Sequence, residues 1–167
     1  MLAPRLPIGQ ITLQLEQAIA IDLAAYYEMV REQTHQWVDP LSEEQLWHRP
    51  FAHGNSVGHL LLHMSGNLNY YIGARVADTG YQRERDREFA EPVPQPKAEV
   101  LGAFDRTIAM VIDTIRKQSD EDWLHPYAAV GEPDCHQRFS IFLRCAGHAY
   151  HHVGQLIYLA RELNNRK

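Results

Sequence analysis

The chain has 167 residues, with 45% hydrophobic and 22% charged side chains, which suits one globular domain spanning 1–167. A formal net charge of −5 argues against a nucleic-acid backbone or an anionic membrane as partner. No apolar run approaches the ~20 residues needed to span a bilayer, and Met1 to Arg5 does not begin a signal peptide. With two cysteines in unrelated contexts, Cys135 and Cys145, the expectation is a cytoplasmic protein without disulfides.

The first predicted helix runs from about Gln10 to Gln33, where Ile11, Leu15, Ala18, Ile19, Leu23, Tyr26 and Val30 recur three and four residues apart. Asp39-Pro40 interrupts it. Ser42-Glu43-Glu44-Gln45 then carries a capping-box signature for a short helix, which Arg49-Pro50 closes. The second long helix starts near Asn55-Ser56 and runs to about Asp78, ending at Gly80. From Gly80 to Pro96 prolines and charges show no period, so this stretch reads as a long exposed connection, and its run Arg83 to Arg87 as a solvated segment.

The third long helix covers about Lys97 to Lys117, with Leu101, Phe104, Ile108, Val111 and Ile115 on one face. Ser119 to Asp122 begins a second short capped turn, and Tyr127 to His136 is loop. The last helix runs from about Phe139 to Leu163. No strand alternation or internal repeat is visible. The fold class is therefore all-α, a four-helix bundle, and the long connection after the second helix implies at least one crossover.

Ten histidines are the compositional anomaly, and most fall in two groups: His48, His53, His59 and His63, then His148, His151 and His152. The inward stripe of the last helix is Ile141, Cys145, His148, His152, Leu156, Leu159 and Leu163. His148 and His152 stand one turn apart in its middle, with β-carbons roughly 6 Å apart, so both imidazoles can reach one metal ion. His151 falls on a more polar flank with Arg144, Gly147, Gln155 and Tyr158, where it is either a plain flanking residue or a support for the ligands. Cys145, one turn before His148 on the same stripe, reads either as a small buried filler or as a fourth ligand. The second helix offers another i, i+4 pair, His59 and His63, and one histidine from it would complete a three-nitrogen site. Three protein ligands leave open positions, the pattern of a catalytic metal. Imidazole suits zinc, nickel, copper or iron. Asn67, Tyr70 and Gln155 are either structural polar residues or groups that orient a small-molecule substrate.

Asn55-Ser56-Val57-Gly58-His59-Leu60-Leu61-Leu62-His63, the run Arg85 to Phe89, and His148-Ala149-Tyr150-His151-His152-Val153-Gly154-Gln155 together resemble the DinB/YfiT-like superfamily of proposed metalloenzymes over nearly the whole chain. The resemblance implies a four-helix bundle with crossover connections, a divalent metal (zinc, nickel or iron) on His63, His148 and His152, and a homodimer. It also implies a thiol-dependent S-transferase or isomerase using a low-molecular-weight thiol as cosubstrate. The alternatives are a non-catalytic metal-binding stress-response protein and a metal-dependent hydrolase.

Overall fold

The computed structural model describes residues 14–90 and 95–165, so the expected helix start at Gln10 and the first five residues lie outside it. The described chain is all-α. The elements in order are α1 (Leu15–Val38), α2 (Glu43–Trp47), α3 (Val57–Leu68), α4 (Lys97–Arg116), α5 (Asp120–Leu124) and α6 (Arg138–Asn165). A π-helical stretch, Asn69–Ala74, continues α3, and a 3-10 turn covers Arg85–Glu88. Among the described residues the only extended pairing is an isolated bridge between Pro126 and Gln137. No described helix is long and apolar enough to cross a membrane.

Side-chain caps start both short helices. Ser42 accepts from the Gln45 backbone while the Gln45 side chain returns the bond, and Ser119 and Asp122 do the same for α5. α1 continues past Gln33 because Thr34 and Val38 extend its buried stripe of Tyr27 and Val30. α3 stops being a regular α-helix at Leu68, short of the expected Asp78. The widened turn that follows lets the successive residues Tyr71, Ile72 and Gly73 all be buried. The chain then reverses through Asp78 and Gly80, both at positive φ.

Four long helices pack in a ring: α1 against α4 and α6, and α3 against α4 and α6. Polar contacts give their directions. Tyr27 Oη donates to the Phe142 carbonyl near the start of α6, and Arg161 near its end lies 5.1 Å from the Trp37 ring near the end of α1, so these two helices run parallel. Lys97, at the start of α4, donates to the carbonyls of Asp39 and Leu41 beyond the end of α1, so α4 runs antiparallel to α1. Asn69 meets Thr107 and Gly73 meets Met110, which makes α3 and α4 parallel.

Parallel neighbours cannot be joined by a short turn. The connection after residue 75 therefore travels back along α3. Glu88 reaches His63 at mid-helix, the Phe89 carbonyl accepts from Arg49, and the Gln95 carbonyl accepts from Trp47 Nε1 near the start of α3. The space inside the ring is filled by one apolar cluster in which Tyr27, Leu61, Met64, Phe104, Ile108 and Phe142 are fully buried.

Candidate metal centre

Helix geometry places the three histidines that carry the site. His148 and His152 lie one turn apart on α6, and His63 faces them from the antiparallel α3. His63 Nε2 is 3.3 Å from His148 Nε2, and His152 Nε2 is 3.1 Å from the same atom. Ligand nitrogens of all three lie within 4.8 Å of one another, so the group can hold a metal ion. Nitrogens each about 2.05 Å from a zinc-like ion at tetrahedral angles stand about 3.3 Å apart. The two separations from His148 Nε2, 3.3 and 3.1 Å, match that distance.

The outer nitrogens of two rings are already used. His63 Nδ1 lies 2.8 Å from Glu88 Oε2, and His152 Nδ1 lies 2.7 Å from Gln155 Oε1. If each Nδ1–H donates to its oxygen, both Nε2 atoms present bare lone pairs toward His148. One proton on His148 Nε2 cannot point at both neighbours, whereas a cation satisfies all three. The donor set therefore fits a divalent ion that favours imidazole.

The electrostatics favour the neutral, coordinating form. Burial pushes the His148 imidazole down to about 3, helped by the neighbouring His152 and His63. Burial pushes His152 down to about 4 although Gln155 supports its charged form. An ordinary imidazole would lose metal to protons below about pH 6.5. For these two rings that competition moves to more acidic solution.

The other candidates are placed elsewhere. His59 is buried, but its ring serves the start of α3: Ser56 and His59 form a reciprocal cap, with Oγ and Nδ1 2.6 Å apart, and Nε2 lies 3.1 Å from the Ala90 carbonyl. His151 is exposed, its ring 5.2 Å from that of His152. Cys145 is buried one turn before His148 and stands outside the histidine group, with its thiol pushed well up by burial. Asn67, one turn along α3 from His63, is buried with its Oδ1 unpartnered. Tyr70 is half-buried and stacks edge-on against Tyr71.

Reading the charged run as solvated holds for Glu84 and Arg87, which pair on the surface. It fails for Arg83, whose side chain is 10% exposed and grips Glu88 through Nε and Nη2 at 2.7 and 2.8 Å. Burial opposes charge on Glu88, but the hydrogen bonds from His63 and Arg83 hold its carboxyl below the usual range. No local signal marks Glu88 as a partner of His63; twenty-five residues separate them.

A cleft of about 570 Å³ opens between the start of α3 and the later turns of α6, walled by none of the three converging histidines. His53, Asn55, Leu60, His151, Gln155 and Tyr158 are among its walls. Gln155 belongs both to this cleft and to the anchoring of His152.

An all-α chain with three converging imidazoles defines the class: a helical protein with a candidate mononuclear metal centre. The chain belongs to the family described as Protein of unknown function (DUF1572), whose model matches residues 17–167. A search of curated proteins finds no match.

Proposed function

We propose that this protein is a DinB/YfiT-like metalloenzyme: a four-helix bundle in which His63, His148 and His152 hold one divalent ion, zinc, nickel or iron. The observation that carries this reading is the convergence of three imidazoles from two helices, with the Nε2 atoms of His63 and His152 at 3.3 and 3.1 Å from that of His148, and with no fourth His, Cys, Asp or Glu in the group among the described residues. Once bound there, the ion would lower the pKa of a thiol or a water and keep the nucleophilic form present at neutral pH.

The chain's own groups do the rest. Gln155 holds the His152 ring by its Nδ1–H, so that Nε2 stays aimed at the centre. The cleft seats the substrate, offering Leu60 and the Tyr158 ring to its apolar part and the amides of Asn55 and Gln155 to its polar part. Asn67 Oδ1 is an unspent acceptor on the same face of α3 as His63. The reaction class we favour is S-transfer or isomerisation with a low-molecular-weight thiol as cosubstrate.

The test is metal analysis of tag-free protein, followed by an assay with bacillithiol, mycothiol, glutathione or coenzyme A and a chlorobimane. Alanine at His63, His148 or His152 should each empty the site and abolish the rate. Alanine at His59 or His151 should leave the metal in place. Full occupancy with no rate for any thiol would remove the transferase reading and leave a metal-binding protein without this turnover. Full occupancy in His148→Ala would remove the site assignment itself.

A further inference from the structure

Neutral imidazole has two tautomers, and only the one with its proton on Nδ1 can coordinate through Nε2. For His63 that choice is made from outside α3. Glu88 Oε2 lies 2.8 Å from His63 Nδ1, while Arg83 Nη2 approaches the same nitrogen only at 3.3 Å. The two contacts demand opposite things, since a guanidinium can only donate and an ionised carboxylate can only accept. The shorter one prevails. Arg83 grips both oxygens of Glu88, which keeps the carboxylate ionised and makes the ring the donor.

This carboxylate reaches the ring through a gap in α3. A β-carbon at Gly66 would stand 2.1 Å from Glu88 Oε1 and 2.8 Å from its Cδ, a clash that must displace the carboxylate. Glycine inside an exposed helix typically costs about 1 kcal/mol against alanine, so its place beside Glu88 has a steric reason. Phe89 completes the clamp, with its ring centroid 4.8 Å from that of His63. Both Glu88 and Phe89 belong to the returning connection, which therefore takes part in the site as well as joining two helices.

We propose that Glu88 is the positioning residue of this centre: it holds His63 in the Nδ1–H tautomer, reserves Nε2 for the ion, and enters through the slot left by Gly66. The role rests on the metalloenzyme reading for its purpose, but the tautomer can be read without any metal. Long-range proton–nitrogen correlation spectra of the metal-free protein, recorded at mildly alkaline pH, should show His63 protonated on Nδ1 and bare on Nε2. In Glu88→Ala and in Gly66→Ala the Nε2–H form should gain, while Glu88→Gln, which keeps an acceptor oxygen, should retain the wild-type pattern.

With zinc as the probe, the dissociation constant should rise about 10–100-fold in Glu88→Ala and Gly66→Ala, the range expected when a ligand loses its outer partner. It should rise less in Glu88→Gln. With cobalt as the probe, the visible absorption bands should shift in the first two variants. A role confined to stability would lower the melting temperature and leave tautomer and spectrum alone. An unchanged His63 tautomer in Glu88→Ala, with zinc affinity within twofold of wild type, overturns the proposal even if Gly66→Ala fails to fold. If wild-type protein binds no zinc, the metal reading falls, and the tautomer comparison still decides the role of Glu88.

Discussion

Acidifying the metal-free protein should weaken it through His148 and His152, by an amount that the structure bounds. In the unfolded chain each ring titrates near ~6.5. In the folded chain burial holds them at about 3 and about 4. Because the folded values are lower, their contribution is complete above about pH 6.5 and drains away as pH falls toward the folded values. Between about pH 7 and 5 the unfolded rings take up protons while the folded ones do not. Integrating over that interval gives about 1.9 kcal/mol per ring, and the result is insensitive to how far below 5 the folded values lie. Two rings give about 4 kcal/mol; both are partly exposed, so about 2–4 kcal/mol is expected. Urea unfolding with a chelator present, at both pH values, should show this loss in wild type. A His148→Gln/His152→Gln double variant should not show it, and all other titrating groups are common to both proteins. If the two lose stability equally, to within about 0.5 kcal/mol, the two rings are not held neutral by burial.

His35 should behave with the opposite sign. Burial lowers its pKa, but hydrogen bonds to Asp105 and Asp39 outweigh that and raise it, so its contribution is present below about pH 6.5 and is lost as pH rises through the raised value. His35→Gln should cost more near pH 6 than near pH 8 in thermal unfolding, by under about 1 kcal/mol for a pair this exposed. Gly154→Leu should occupy the cleft, because a β-carbon there meets nothing within 4 Å. Metal analysis should find the ion retained and unfolding should show up to about 1 kcal/mol of added helix stability, while the thiol-dependent rate falls; an undiminished rate would take the substrate out of that cleft.

Much of the helical layout was legible because it is local. The capping boxes at Ser42 and Ser119 and the buried stripe of α4 need only neighbours within a turn or two. What was not legible depends on other helices. α1 runs on to Val38 because Thr34 and Val38 find a core to enter, and the turn after Leu68 widens where Asn69 binds Thr107 and Gly73 closes on Met110. Periodicity in one segment carries no information about either event.

The site divides along the same line. His148 and His152 stand one turn apart on an apolar stripe, and that alone makes them neighbours. The choice between His59 and His63 had a local cue as well. His59 sits three residues after Ser56, at the position whose side chain returns the cap, and the structure spends its Nδ1 there. His63 has no such duty at the helix start, so its ring is left to face α6. Glu88 could not be found this way, because the Arg83 to Arg87 run has the composition of a solvated surface and acquires its partner only when the chain doubles back along α3. The path of that connection follows from α3 and α4 being parallel, and once it lies against α3, a buried carboxylate needs cations or donors on both sides. Arg83 supplies one and His63 the other, at 2.7–2.8 Å. The cost of burying Glu88 is thus met by the same bonds that orient His63, which ties the packing of the connection to the geometry of the centre.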